Sequence, residues 1–216
     1  MTAMADDKCQ VEQYQGEGRA ARDEGVRRDD RSTVLLSSTL QSPQLIRARR
    51  TIARMIDACE IRLARAADAG RIAEMSRDFI EHGLGWGWDA ARVARRIRNR
   101  STNVVVAESG ADIVGFALME YHDVDAHLLL FGVEPIYRNR GIGSSLLAWL
   151  EATAATAGIE LIFLEARVTN IAARAFYKAR GYRELAIIRR YYSGREDAVR
   201  IGKDLAVAAT PPGNRD

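Results

Sequence analysis

The segment from Val133 to Ser145 constrains the fold more than any other part of the chain. An apolar strand pattern ends at Val133, an Arg-x-x-Gly-x-Gly turn begins at Arg138, and an amphipathic helix pattern follows at once. The first backbone N–H groups of a helix have no partner within the helix, and the helix dipole is positive at that end. The segment therefore predicts a phosphate-binding site between a strand and a helix.

The residue types in this turn suit a pyrophosphate. Glycines let the backbone approach the phosphates without a Cβ in the way, and arginines add charge and donors. Because GxxxxGK[ST] and GxGxxG are both absent, a Walker loop and a Rossmann fingerprint are excluded. A surface turn with solvated arginines is the alternative. The expected cofactor contacts in this segment are Arg138, Asn139, Arg140, Gly141, Ile142, Gly143, Ser144 and Ser145.

Strand and helix patterns alternate around this segment. Apolar periodicities predict the order β-α-α-β-β-β-α-β-α-β-β within residues 59–206. Hairpins at both ends and a β-α-β-α middle indicate an α/β fold, with a mixed sheet of about seven strands flanked by about four helices. Residues 1–58 are expected to be a disordered or weakly helical extension, because 5–31 are polar and dense in both charge signs. Residues 207–216 are expected to be a flexible tail.

Composition narrows the functional classes. The formal net charge is only +3, so nucleic acid is not an expected partner. The arginine-rich run over 92–100 is interpreted as a solvated helix face, with RNA or an acidic peptide as the alternative.

No apolar run reaches about 18 residues, so no membrane span is expected. The two cysteines form no metal or disulfide pattern, which predicts no metal and favours the cytoplasm. The sequence leaves open whether the protein forms a homodimer.

Two further blocks carry a family resemblance. Glu165 to Tyr182 has the spacing E-x-R-x-x-N-x-x-A-x-x-x-Y-x-x-x-G-Y, and Arg189 to Ala198 reads RRYYSGREDA. With the RxxGxG turn, they resemble the GNAT superfamily of N-acetyltransferases over roughly residues 60–205. The ending is similar to ribosomal-protein alanine N-acetyltransferases, although their asparagine before the tyrosine pair is missing and the likeness fades before residue 120. The resemblance implies direct transfer of an acetyl group from acetyl-CoA to a primary amine.

The resemblance also implies residue roles. Tyr177 matches the tyrosine that protonates the leaving thiolate of coenzyme A, with packing on the sheet as the alternative. Glu165 matches the proposed general base, and its apolar strand predicts a raised pKa. An ion pair of Glu165 with Arg167 or another arginine is the alternative. Asn170 matches the residue that binds the pantetheine arm, and it can also cap the last helix.

Other candidate contacts lie on the strands and in a loop. Phe131 and Val133 are expected to offer backbone groups to the pantetheine amides in the manner of a β-strand. Trp86 and Trp88, in the GLGWGW loop, are predicted to contact the acceptor, with packing of the loop on the core as an equal alternative. His127 is interpreted as a core or rim histidine rather than a base.

The sequence leaves three functions open, and the first two differ in the amine that accepts the acetyl group. An α-amine with a pKa of ~8 is ~10% neutral at pH 7, whereas a lysine amine with a pKa of ~10.4 is well under ~1% neutral. A modest base therefore favours a protein N-terminus. A small-molecule amine is the alternative, and a cationic one would use Glu120, Asp123 or Asp125. A non-catalytic acyl-CoA-binding module is the third.

Overall fold

The computed structural model describes residues 10–11 and 59–205, and all bounds refer to these. Eight strands are present there: β1 (Gln10–Val11), β2 (Glu60–Leu63), β3 (Thr102–Ser109), β4 (Asp112–Tyr121), β5 (Asp125–Val133), β6 (Leu161–Arg167), β7 (Arg183–Tyr192) and β8 (Glu196–Asp204). The α-helices in the same ranges are α1 (Ala69–Phe79), α2 (Ala90–Arg98), α3 (Ile142–Thr156) and α4 (Ile171–Lys178). Short 3₁₀ helices at Ala66–Asp68 and Pro135–Tyr137 precede α1 and α3.

The strands form one mixed sheet in the order β2-β3-β4-β5-β1-β6-β8-β7. Strands β2 to β5 are antiparallel, as are β6, β8 and β7, whereas β5, β1 and β6 run parallel. The predicted α/β architecture, with a mixed sheet and four helices, is confirmed. No helix within residues 59–205 is both long and apolar enough to cross a bilayer.

The centre of the sheet contains a gap. Strands β5 and β6 pair from Asp125 opposite Leu161 as far as His127 opposite Phe163. Just beyond, β5 has one residue more than β4, so Leu129 forms a bulge. Because a bulge bends its strand, β5 turns away from β6 there.

Strand β1 lies in this gap. Val11 stands opposite Phe131 of β5 on one side and Ala166 of β6 on the other. The expectation that 5–31 lack ordered structure is therefore wrong at residues 10 and 11. The rest of the predicted extension and the tail after residue 205 lie outside the described residues.

Side chains cap the first turns of two helices, and the cap at Asn170 is the one that the sequence analysis predicted. Asp89 Oδ1 accepts the backbone N–H of Arg92 at 2.6 Å and begins α2. Asn170 Oδ1 accepts the backbone N–H of Ala173 at 3.0 Å and begins α4. Both caps satisfy N–H groups that a helix leaves unpaired, so the positions of α2 and α4 follow from local sequence.

Replacement of Gly132 by alanine should destabilise the sheet. A Cβ at this position of β5 would lie 2.6 Å from Cε1 of Phe116, which is fully buried and has no room to move. We expect G132A to lower the free energy of unfolding by about 1–3 kcal/mol, measured by urea denaturation. The matched control is G70A in α1, where no atom lies within 4 Å of the new Cβ. G70A should leave stability equal or raise it by about 0.4–1 kcal/mol, and equal losses in both variants would contradict this packing.

Candidate active site

One face of the gap between β5 and β6 is formed by α3 and α4. Phe131 of β5 points to this face, since its ring Cζ lies 3.4 Å from the place that a Cβ on Gly143 of α3 would take. Tyr177 of α4 lies beside Phe131, with 6.1 Å between the ring centroids. The predicted acid is therefore on the α3–α4 side of the sheet.

The other face of the gap carries the predicted base. Arg167 of β6 donates from Nη2 to the carbonyl oxygen of His82, in the loop after α1, at 3.0 Å. Side chains two positions apart on a strand share a face, so Glu165 also points to the α1–α2 side. Glu165 and Tyr177 thus approach the gap from opposite faces, and a reacting group placed in the gap lies between them.

The RxxGxG turn lies at the open end of the gap, where β5 leads into α3. Gly141 has a φ of 85°, in the left-handed region that favours glycine. Within the described residues no side chain caps α3, so its first N–H groups face the turn. Arg138 is half-buried, and its Nε donates to the carbonyl oxygen of Val133 at 2.9 Å. Asn139 and Arg140 are exposed at the same turn.

A second cation, Arg180, stands beside the turn, and the sequence analysis did not predict it. Arg180, just after α4, donates from Nη2 to Ser144 Oγ and from Nη1 to the carbonyl oxygen of Phe176 at 2.7 Å. Its guanidinium carbon lies 3.6 Å from the centroid of the Phe176 ring. In the sequence Arg180 looks like an ordinary helix-end residue, and only the packing of α4 against α3 brings it to the RxxGxG turn.

Asn170 has an unused donor. Its Oδ1 is committed to the cap of α4, whereas its Nδ2 is buried and has no hydrogen-bond partner among the described residues. A buried unpaired donor costs about 1–3 kcal/mol. Its place directly after β6, at the gap, suits an amide or carbonyl oxygen of a bound ligand.

Glu165 is fully buried and doubly paired. Arg200 Nε donates to Oε1 at 2.7 Å, and His127 Nε2 lies 2.7 Å from Oε2. Burial opposes ionisation, but the hydrogen bonds from His127 and Arg200 and the charge of Arg200 outweigh it and hold the pKa of Glu165 below its usual value. The predicted raised pKa is therefore wrong, because the sequence showed the apolar strand but not the cations on neighbouring strands. The arginine paired with Glu165 is Arg200 and not Arg167, the one that the sequence analysis named.

Arg167 instead links β6, β8 and the loop after α1. Its Nη1 donates to both carboxylate oxygens of Glu196 on β8, at 2.8 and 2.9 Å. Its other terminal nitrogen holds the carbonyl oxygen of His82. The pair therefore fastens the loop after α1 to the sheet next to Glu165.

The loop between α1 and α2 is organised by a residue that sequence reasoning missed. Glu81 accepts the backbone N–H of Gly87 at 2.5 Å and that of Trp88 at 3.2 Å. Burial raises the pKa of Glu81, and these two N–H donors oppose the rise. The position of a carboxylate directly before a glycine-rich loop was the sequence signal that could have identified Glu81.

The two loop tryptophans differ. Trp88 is 2% exposed, and the guanidinium of Arg92 covers its ring at 4.2 Å. The predicted acceptor contact of Trp88 is thus corrected to core packing, since no ligand can reach a covered ring. Trp86 is 52% exposed, with Arg77 5.8 Å from its ring centroid, so it can still meet an acceptor.

Two of the acidic residues considered for a cationic acceptor are paired. Glu120 binds Arg96 of α2, and Asp125 Oδ1 lies 2.6 Å from His122 Nδ1. The first pair is charge-neutral, so Glu120 offers no net negative charge to a cationic small molecule.

The chain was compared with known proteins. Its residues 70–182, more than half of the 216, match the family model of the acetyltransferase (GNAT) family. The [ribosomal protein bS18]-alanine N-acetyltransferase of Escherichia coli strain K12 is 32% identical over 115 residues, which is 52% of this chain and 77% of that protein. The N-alpha-acetyltransferase RimI of Mycobacterium tuberculosis is 34% identical over 130 residues, covering 58% and 79%.

Solved structures share the fold. The ribosomal-protein-S18-alanine N-acetyltransferase from Escherichia coli superposes with a TM-score of 0.59 at 23% identity, covering 73% of this chain and 99% of that one. A PaiA N-acetyltransferase from Thermoplasma acidophilum, solved with coenzyme A, has a TM-score of 0.57 at 19% identity, with coverages of 68% and 99%.

The fold, the family model and the named relatives together define an N-acetyltransferase, an enzyme that moves an acetyl group to an amine. The match over residues 70–182 makes the family certain: the chain belongs to the acetyltransferase (GNAT) family.

Proposed function

We propose that acetyl-CoA binds with its pyrophosphate at the N-terminus of α3 and its pantetheine arm along β5. The observation that carries this proposal is the opening of the sheet between Glu165 and Tyr177, with the uncapped helix at its mouth. When bound, acetyl-CoA supplies an activated thioester. Arg138 and Arg180 supply charge at the turn, Asn170 Nδ2 donates to the arm, and β5 offers backbone groups at Phe131 and Val133.

The proposed acceptor is the α-amine of a protein N-terminus. The two relatives above, named for N-terminal or alanine acetylation, are matched over 77% and 79% of their lengths. The chemical argument agrees, since an α-amine needs only a modest base. The amine attacks the thioester carbon directly, so no acetyl-enzyme forms.

Acetyl-CoA turnover with matched peptides tests this function. One peptide has a free N-terminus and no lysine, and the second has the same sequence with a blocked N-terminus and one internal lysine. A panel of small amines, including polyamines, forms the third arm. We expect thiol release with the first peptide and little with the other two. Turnover confined to small amines would refute the N-terminal acceptor, and tight acetyl-CoA binding without turnover on any amine would refute the enzyme function.

The proposed position of the pantetheine arm overlaps the position of β1. The pantetheine arm and Val11 both need the side of β5 at Phe131, so β1 must leave when the cofactor binds. Proline at position 11 removes the N–H that strand pairing uses. We expect V11P to lower the Kd for coenzyme A by about 2–10-fold, the equivalent of about 0.5–1.5 kcal/mol. V11A keeps the N–H and is the control in the same calorimetric titration; an unchanged or raised Kd in V11P would place the arm elsewhere.

The cytoplasmic location and the homodimer stay predictions. Gel filtration of the purified chain against its 24.0 kDa mass separates monomer from dimer.

A further inference from the structure

The carboxylate of Glu165 has little freedom to act as a base itself. Its Oε1 accepts Arg200 Nε at 2.7 Å, and its Oε2 meets His127 Nε2 at 2.7 Å and the Tyr191 hydroxyl at 3.4 Å. The side chain is also inaccessible to solvent. A carboxylate that is buried, ionised and occupied on both oxygens serves better as an anchor than as a proton acceptor.

The imidazole of His127 is oriented by this anchor. An ionised carboxylate only accepts hydrogen bonds, so the proton of a neutral imidazole must be on Nε2. Nδ1 then carries the free lone pair, and within residues 59–205 the hydrogen bond of the ring is the one to Glu165. Stacking on Phe163, with centroids 4.3 Å apart, fixes the plane of the ring.

His127 also lies where the reaction is proposed to occur. It is the last residue of β5 that pairs with β6 before the strands diverge, so it stands at the closed end of the gap. Its side chain is 13% exposed, whereas that of Glu165 is 0% exposed. A proton can therefore reach His127 from the acceptor side without entering the buried ion pair.

We propose that His127 is a catalytic residue that takes the proton of the acceptor amine at Nδ1, directly or through one water, and that Glu165 is the positioning residue that holds it. The inference rests on the proposed function. The ammonium gives one proton to His127, and the neutral nitrogen attacks the thioester carbon. The C–N bond forms and the C–S bond breaks, the sulfur takes the proton of Tyr177, and the second nitrogen proton restores the phenol. His127 passes its proton to solvent.

Several charged groups face His127. Glu165 comes from β6, Arg200 from β8 and Tyr191 from β7. Glu120 of β4 stands opposite His127, and Arg96 of α2 neutralises it. The two carboxylates among these groups are each paired with an arginine, Glu165 with Arg200 and Glu120 with Arg96.

The test compares H127Q, H127A and E165Q with the wild type on a peptide with a free α-amine. The kcat is measured from pH 6 to pH 9, and coenzyme A affinity and the melting temperature establish that each variant is folded. We expect H127Q to lose about 10²-fold in kcat at neutral pH, with unchanged coenzyme A affinity and a loss that shrinks as pH rises and the amine deprotonates by itself. Added imidazole should restore turnover in H127A but not in E165Q.

Two other results would overturn the proposal. A wild-type kcat and pH profile in H127Q, with activity abolished in E165Q, would make Glu165 the direct base. A loss in H127Q that is equal at every pH, with no imidazole rescue of H127A, would make His127 purely structural. Wild-type protein that acetylates no amine would refute the proposed function together with this inference, so the two failures are distinguishable.

Discussion

Replacing Tyr177 by phenylalanine should lower kcat by about 10²–10⁴-fold, the usual contribution of a general acid, and leave the affinity for coenzyme A unchanged. The phenol is fully buried, with ring centroids 5.1 Å from Phe176 and 5.4 Å from Tyr182. Phenylalanine keeps this packing, so the variant removes the acidic proton and little else. Single-turnover kinetics with acetyl-CoA and a free α-amine peptide measure the chemical step.

Tyr182 provides the matched control for that variant. Its phenol is buried in the same aromatic cluster, and burial raises its pKa well above the usual value. Y182F removes the same atom from the same surroundings, and we expect kcat within about threefold of the wild type, because no catalytic role falls on it. Equal losses in both variants would mean that the cluster acts through packing, and a fully active Y177F would refute Tyr177 as the acid.

Replacing Arg138 by alanine should weaken acetyl-CoA binding by about 10–100-fold. A hydrogen bond to a charged group contributes about 1.5–3 kcal/mol, and each 1.4 kcal/mol is tenfold in Kd. The variant also removes the bond from Nε to the carbonyl oxygen of Val133, which ties the turn to the end of β5. We expect kcat at saturating acetyl-CoA to change little, because Arg138 lies at the turn proposed to bind the pyrophosphate and not at the reacting carbon.

The control for Arg138 is R95A, which replaces an exposed arginine of α2. Both variants lose one positive charge, so a general electrostatic effect would weaken binding equally in the two. Calorimetric titration with coenzyme A at two salt concentrations separates the cases. Binding that is unchanged in R138A would place the pyrophosphate elsewhere.

The elements around the phosphate turn could be predicted because their signals are local. A strand that ends at Val133, a left-handed Gly141 and a cap at Asn170 each depend on neighbours a few residues away. The fold class followed from the order of such elements. The cap at Asp89, which begins α2, is a local feature of the same kind.

The features that the sequence did not predict depend on contacts between segments that are distant along the chain. Glu165 is paired by residues 38 and 35 positions away, so its apolar strand suggested a raised pKa where the pKa is lowered. The burial of Trp88 depends on Glu81, which folds the loop back by binding its backbone. Nothing in a polar N-terminal stretch indicated that residues 10 and 11 would pair with two strands at the centre of the sheet.

The tether from Glu81 to the loop has an evolutionary consequence. Glu81 holds Gly87 and Trp88 by their backbone N–H groups, which every residue except proline possesses. The neighbouring Trp86 is half-exposed and contributes nothing to that tether. The side chain at position 86 can therefore change while the loop keeps its course, and the acceptor contact predicted for Trp86 makes this the position where we expect a change of acceptor to arise. Selection for a new acceptor would act on this exposed position, and the inherited cofactor chemistry on the other side of the sheet would stay intact.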